Sequence, residues 1–178
     1  MKRDLKKLKT LNLRFNKIKT IPAHLFELEN LEELGLGSCG LKDLPKGIEQ
    51  LKKLKKLDLS KNNLKKLPVE LGQLIELKEV NLKGNKNLDW DQAFTVLKDL
   101  PALTQLNFEQ WDLTELSENI GLMTQVHSIN LRRNKLRTLP KSIAKLKNLI
   151  GIELTPNPWD WEKLFGTSNR KSGMHART

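Results

Sequence analysis

The stretch LKKLDLSKNNLKKLP, residues 54–68, places leucine at positions 54, 57, 59, 64 and 67, asparagine at 62 and proline at 68. This spacing matches neither the three-and-four interval of a helix nor the strict alternation of a strand. The same pattern recurs along almost the whole chain, and five of its six steps are 23 residues long, the fourth being 26. The repeats begin at Leu8, Leu31, Leu54, Leu77, Leu103, Val126 and Leu149.

The spacing predicts a coil that turns back over its own leucines. In an L-x-L segment both leucines lie on one face of a strand, and a turn after the asparagine brings the later leucines over them. A buried leucine stabilises by about 1.5–3 kcal/mol, so one repeat cannot fold alone, whereas a stack of repeats can. Because an amide both donates and accepts hydrogen bonds, it can satisfy the turn's backbone groups.

The unit L-x-x-L-x-L-x-x-N-x-L, followed by LP-x-x-I/L-x-x-L-x-x, resembles the leucine-rich repeat family over roughly residues 5–165. This 23-residue form is similar to the repeats of intracellular signalling scaffolds and of many bacterial proteins. The resemblance implies an α/β solenoid: a horseshoe arc with a short parallel β-sheet on its concave side and short helices or 3-10 turns on its convex side. We expect one domain, residues 1–165, with about seven repeats, the last incomplete, and a disordered tail, residues 166–178.

A structural ladder of side chains is expected at the turn. Tryptophan at 111 interrupts this row in the fifth repeat, because an indole only donates. The resemblance implies that cysteine is a tolerated, weaker substitute for asparagine there. The expected ladder residues are Asn16, Cys39, Asn62, Asn85, Asn134 and Asn157.

Two repeats replace the usual LP segment with an aromatic one. LDWDQAF (88–94) lengthens the fourth repeat, and WDWEKLF (159–165) aligns with it in the seventh. Asp89 and Gln92 have the spacing of a helix N-cap and its reciprocal partner. Both segments are therefore predicted to form true convex helices.

Composition is that of a globular domain, with 38% hydrophobic and 30% charged residues among 178. No apolar run approaches the length of a membrane span. Since Cys39 is the only cysteine, no internal disulfide can form. These features favour a cytoplasmic location and leave a bacterial surface location open, and the many lysines without tyrosine suggest a bacterial source.

The family resemblance implies that a partner meets the outward-facing strand positions, which are the third, fifth, seventh and eighth of each repeat. Phe15 is the one aromatic residue predicted to point outward there, either as a contact residue or as a cover for the first coil. The candidate partner-binding residues are Arg14, Phe15, Asp58, Lys83, Glu109, Arg132 and Arg133.

The net charge of +11 raises nucleic acid or anionic membrane as alternative partners. On the predicted concave face, however, the six basic residues are balanced by five acidic ones, with no track of bases interleaved with aromatics. This argues against a nucleic-acid groove on that face. A basic convex surface with the tail, or a spacer within a longer protein, remain the alternative interpretations.

No catalytic or metal-binding constellation stands out. His24, His127 and His175 are not placed beside a nucleophile or other metal ligands, and GLGSCG (35–40) keeps the repeat register. We therefore predict a non-enzymatic scaffold without cofactor or metal. It would bind a protein or peptide on its concave face and loop rim, and the sequence leaves its oligomeric state open.

Overall fold

Each repeat contributes one three-residue strand, because its L-x-L segment can bury only a short extended stretch before the chain turns. The computed structural model describes residues 5–165, so the disorder predicted for residues 166–178 concerns a segment outside the described residues. Neighbouring strands run parallel in matching register, so that Leu11, Leu34 and Leu57 lie side by side. The strands are β1 (Thr10–Asn12), β2 (Glu33–Gly35), β3 (Lys56–Asp58), β4 (Glu79–Asn81), β5 (Gln105–Asn107), β6 (Ser128–Asn130) and β7 (Gly151–Glu153).

Short 3-10 helices form most of the return segments. Four of them follow a proline, whose ring fixes φ near −65° and prepares the turn, and in each the proline carbonyl accepts the first backbone hydrogen bond. The predicted α/β solenoid is confirmed. The 3-10 helices are Leu5–Lys7, Ala23–Glu27, Lys46–Gln50, Val69–Gln73, Glu118–Leu122 and Lys141–Lys145.

The two aromatic segments form α-helices, as predicted: α1 (Trp90–Leu97) and α2 (Trp161–Phe165). The Asp89 carboxylate caps α1 by accepting from the Gln92 N–H at 3.0 Å. The expectation that the Gln92 side chain bonds back to the backbone of the N-cap residue, Asp89, is wrong. Its Oε1 accepts from the Leu67 N–H at 3.0 Å and its Nε2 donates to the Leu67 carbonyl at 2.8 Å. The side chain thus satisfies the backbone of the preceding coil.

Leucine side chains from successive coils fill one continuous core. Leu31, Leu54 and Leu77, which open consecutive repeats, are completely buried. In the first described coil the equivalent residue, Leu8, is only half-buried, because no coil covers it on that side within residues 5–165. Stacking therefore supplies the burial, as expected for a solenoid whose coils contact only their neighbours.

The asparagine amides join consecutive coils. Asn62 Oδ1 accepts from the N–H groups of Cys39 and Leu41 at 3.1 and 3.0 Å, while its Nδ2 donates to the carbonyls of Leu36 and Leu59 at 2.9 Å each. Asn85, Asn134 and Asn157, in the fourth, sixth and seventh repeats, bond to the preceding coil in the same way, although Asn85 and Asn157 each accept from one N–H group instead of two.

The first two members of this row differ from the later ones. Cys39 lies in the same row and its thiol donates to the Leu13 carbonyl at 3.1 Å. Asn16, in the first coil, is exposed, and its Nδ2 donates to the Leu13 carbonyl at 2.9 Å.

The β-sheet is interrupted between β4 and β5. Strands β1–β4 form one parallel sheet and β5–β7 form another, with no strand pairing between β4 and β5 in the part of the chain that the structure describes. At this point Trp111 occupies the place of the asparagine that would accept from the turn of the fourth repeat. That turn instead bonds within itself, from Asn85 N–H to the Leu82 carbonyl at 3.3 Å and from Leu88 N–H to the Asn85 carbonyl at 3.2 Å.

Replacing Asn62 with alanine is expected to lower the free energy of unfolding by about 3 kcal/mol, because buried backbone groups of two coils lose their partners. Asn63→Ala is the matched control. Asn63 is exposed, and its side-chain oxygen accepts from the Asn87 amide at 2.8 Å. We expect that control to stay within about 0.5 kcal/mol of the wild type. Urea denaturation followed by circular dichroism measures both, and equal effects would contradict the structural role of the Asn62 amide.

Candidate functional site

The strands present a concave surface whose edge is fixed by one residue of left-handed backbone in each of the first six repeats. These eighth-position residues are Phe15, Ser38, Lys61, Gly84, Gln110 and Arg133, with φ between 52° and 78°. Phe15 is 78% exposed, although a bulky side chain is unfavourable in this backbone region. Phe15 and Arg133 therefore occupy equivalent positions on the rim, at opposite ends of the described arc.

Fifth-position side chains hold the chain that follows the strand. The side-chain oxygen of each accepts from the N–H two residues on, at distances between 2.9 and 3.1 Å. The residues that accept are Asn12, Asp58, Asn81, Asn107 and Asn130. The N–H groups of the candidates Arg14, Lys83, Glu109 and Arg132 are fixed in this way. The asparagines in this row thus hold the backbone of the site in place.

Arg14 and Asp58 form an ion pair that crosses an entire repeat. The Arg14 side chain passes over Gly35 and Gly37, where a Cβ atom would lie 3.5 Å from Arg14 Cγ in both cases. A Cβ at Gly37 would also lie 2.8 Å from Ser60 Oγ. Asp58 is only 8% exposed, so it presents little surface to a partner and serves mainly to hold Arg14.

Four other candidates lie at the far end of the arc. Arg133 Nη1 is 3.6 Å from Glu109 Oε1, and Lys83 Nζ donates to the Glu109 carbonyl at 3.4 Å. Arg132 turns to the next repeat, where its Nε donates to the Thr155 carbonyl at 3.1 Å and its Nη1 lies 3.6 Å from Glu153. The structure thus brings Lys83, Glu109 and Arg133 together and leaves Arg14, Phe15 and Asp58 as a separate group.

A cleft of about 990 Å³ lies at the interruption of the sheet. Lys83 and Glu109 line it, and so do Glu79, Gln105 and Trp111, which were not among the predicted site residues. Glu79 and Gln105 are exposed, and Trp111 is half-buried. The 26-residue fourth repeat was the sequence signal for this cleft, because the extra residues coincide with the break between β4 and β5.

A row of ion pairs crosses the second positions of the first three repeats, at the side of the cleft. Glu32 lies between Lys55, at 2.7 Å, and Lys9, at 2.9 Å. The hydrogen bond from Lys55, followed by that from Lys9, lowers the pKa of Glu32 from 4.5 to about 2. The same contact raises the pKa of Lys55. Both partners are thus charged at neutral pH.

Other kinds of site were sought in the same range. Within residues 5–165 no group of three or more His, Cys, Asp and Glu side chains is arranged to hold a metal ion. The longest helix of this range, α1, has eight residues, so none of its helices is long and apolar enough to cross a membrane.

Known proteins similar to this chain share its repeats. The sequence profile described as "Leucine rich repeat" matches residues 2–41 and 29–86, whereas no curated protein sequence matches. A solved leucine-rich repeat protein of Leptospira interrogans is 37% identical, with a TM-score of 0.67 over 86% of this chain and 38% of that one. Internalin InlF from Listeria monocytogenes, at 24% identity, has a TM-score of 0.64 over 83% of this chain and 41% of its own, which shows the fold alone.

A plant peptide hormone receptor, RGFR1, solved in complex with RGF2, is also similar. It is 32% identical, with a TM-score of 0.60 over 83% of this chain and 24% of the receptor. The chain therefore spans well under half the length of each of these relatives.

The Glu32 carboxylate is expected to titrate near pH 2 in an NMR experiment on the folded protein. Because its folded pKa lies below the ordinary value of 4.5, its stabilising contribution is present above pH 4.5 and is lost as the pH falls toward 2. Lys55→Met should move the midpoint back toward 4.5. Lys53→Met, which removes an exposed lysine bonded to Asn30, should leave it unchanged. An unshifted midpoint in the wild type would contradict the contact.

Replacing Phe15 with asparagine is expected to raise the free energy of unfolding by about 1 kcal/mol, because asparagine tolerates the left-handed backbone that phenylalanine disfavours. Chemical denaturation measures the change. Ser38→Asn, at the same position one coil later, is a control for the asparagine itself. A loss of stability in Phe15→Asn would show that the ring covers the first coil instead of contacting a partner.

Proposed function

This chain belongs to the leucine-rich repeat family, and from that premise we propose that it is a non-catalytic interaction module whose concave face binds a protein or a peptide. One of the similar structures is a peptide hormone receptor in complex with RGF2, which supports the proposal by analogy at 32% identity. Since this chain spans 24% of that receptor, the analogy concerns the mode of binding. The analogy does not extend to the identity of the partner.

The cleft between β4 and β5 carries the proposal. A flat, fully paired sheet offers a partner only a shallow surface, whereas this interruption opens about 990 Å³, near the upper end of the roughly 300–1,000 Å³ of typical ligand sites. That volume suits a few residues of a peptide. Trp111 lines the cleft, and aromatic side chains of this kind often anchor protein contacts.

The charges of the cleft favour a mixed partner over a polyanion. Four of its lining residues are lysines and four are glutamates, and several are already paired with each other, such as Lys56 with Glu33 at 3.2 Å. A nucleic acid would need an excess of bases along one track. A peptide of mixed charge can form ion pairs with Glu79 and Lys78, which make no ion pair among the described residues.

The predicted residues contribute to partner binding in different ways in this proposal. Lys83 and Glu109 contact the partner within the cleft, and Arg133, paired with Glu109, adjoins it. Arg14 and Phe15 extend the contact surface along the rim toward the first repeat, and Asp58 positions Arg14. Arg132 is tied to the last repeat and contributes at the far edge.

The absence of catalysis is part of the proposal, and three observations support it. His24 and His127 are both exposed, and neither has a side-chain hydrogen bond to a nucleophile within the described residues. Cys39 is 1% exposed, and its thiol is bonded to a backbone carbonyl. Cys39 therefore has a structural role, and neither His24 nor His127 is bonded to a group that it could activate.

A peptide-display selection with the full chain tests the proposal. Peptides enriched on the wild type are measured against Gln105→Arg, which places a larger, charged side chain in the cleft, and against Gln50→Arg. Gln50 is also exposed but lies on a convex 3-10 helix, so the second variant makes the same change away from the cleft. We expect about tenfold weaker binding for the first variant and no change for the second.

The salt dependence separates this proposal from binding through the basic convex surface. Concave binding that depends on shape should persist at 0.5 M salt, where the Debye length falls to about 4 Å. Enriched peptides that are uniformly acidic, bind both variants equally and dissociate in salt would refute concave recognition and favour the basic surface.

A further inference from the structure

A second opening lies among the segments that follow the turns and shares no lining residue with the concave cleft. This outer groove has a volume of about 760 Å³. It runs from the start of α1 to the return segments of the fifth and sixth repeats. Its lining residues are Asp89, Trp90, Asp91, Phe94, Phe108, Leu113, Glu115, Leu116, Ser117, Glu118, Thr138, Leu139, Pro140 and Lys141.

The apolar floor of the outer groove is more exposed than the same positions elsewhere in the solenoid. Leu41, Leu64 and Leu136 are completely buried, whereas the equivalent Leu113 is half-buried. Similarly, Leu44 and Leu67 are 5% and 2% exposed, whereas the equivalent Leu116 and Leu139 are half-buried. Because α1 is bulkier than the 3-10 helices beside it, a gap remains where the other coils close.

The rim of this groove is acidic in a chain of net charge +11. It carries four carboxylates and one lysine, Lys141. Three of the carboxylates are held by protein contacts. Asp89 caps α1, and Asp91 accepts from the Ser117 hydroxyl. Glu118 accepts from the N–H groups of Ser142 and Lys141 at 3.0 and 3.1 Å, and the bond from Ser142, followed by that from Lys141, lowers the pKa of Glu118.

Glu115 is the exposed carboxylate of the rim that makes no hydrogen bond or ion pair within residues 5–165. The rim therefore keeps a negative charge at neutral pH, with fixed positions for three of its four carboxylates.

We propose that the outer groove is a second interaction surface, which binds a short basic segment of a partner protein with a bulky apolar residue next to its lysine or arginine. The apolar residue packs on Leu116, Leu139 and Pro140. The basic residue faces the carboxylates beside the half-buried Trp90.

Charge complementarity selects this occupant. The excess of positive charge over the rest of the chain repels a basic segment, so the acidic rim attracts it to one place. The chain's own basic tail is a poorer match, because the one bulky apolar residue of residues 166–178, Met174, stands next to no lysine or arginine.

Peptide display on the full chain also tests this proposal. The peptides of interest are those that still bind the Gln105→Arg variant, so their binding does not depend on the concave cleft. They are synthesised with a fluorescent label and measured against Glu115→Lys/Thr138→Lys. The matched control is Glu29→Lys/Thr20→Lys, in which Thr20 precedes Ile21-Pro22 as Thr138 precedes Leu139-Pro140. All four residues are exposed, so neither variant disturbs the core.

We expect the selected peptides to combine lysine or arginine with a bulky apolar residue. Their binding should weaken about tenfold or more in the groove variant and remain within about twofold in the control. Selected peptides without basic residues, equal binding to both variants, or no peptide that binds independently of the cleft would each overturn the proposal.

A photo-crosslinking amino acid at Thr138 identifies competing occupants. A crosslink to the basic peptide that competes with unlabelled peptide supports the proposal. A crosslink into residues 166–178 of the same chain, or into a second copy, in the presence of saturating peptide would assign the groove to that occupant instead.

Discussion

The structure depends on one constraint: the turn at the end of each strand buries backbone groups that need partners, and in most repeats the neighbouring coil supplies them. Asn62 shows how this is met, since its amide bonds two N–H groups of the preceding coil and a carbonyl in each coil. An unpaired buried backbone group costs about as much as a lost hydrogen bond. The asparagine therefore sets the spacing between coils as firmly as the leucines do, and the parallel sheet follows from that spacing.

The candidate sites lie where this constraint is met in a different way. At Trp111 the amide acceptor is missing, the turn of the fourth repeat bonds within itself, and β4 and β5 do not pair in the described part of the chain. The interruption creates the concave cleft. On the convex side of the fourth repeat, α1 replaces a 3-10 helix and leaves the outer groove. Both openings thus arise where the irregular fourth repeat meets the fifth.

Much of the fold could be predicted from the sequence because it is repeated seven times. Leucine at fixed intervals determines the strands, the core and the convex returns, and the WDW segments indicate α1 and α2. The side-chain geometry of the site could not be predicted from the sequence to the same extent. Arg14 reaches Asp58 across an intervening repeat that has glycine at 35 and 37, and the Gln92 side chain bonds to Leu67 instead of to its own helix. Such contacts join residues of different coils, and their distances depend on how the coils stack.

The aromatic residues at the junction of the fourth and fifth repeats also explain why the chain tolerates the irregularity. Trp111 contacts Phe108 with ring centroids 5.0 Å apart and Trp90 at 5.6 Å, and Trp90 lies 5.7 Å from Phe94. These rings fill the space that an asparagine bond and a regular leucine coil would occupy, and they stabilise the region by burial of apolar area and not by hydrogen bonds. Trp111 lines the concave cleft, whereas Trp90, Phe94 and Phe108 line the outer groove. One aromatic cluster therefore contributes side chains to both openings, and Trp111, which interrupts the asparagine ladder, is the member of that cluster that lines the concave cleft.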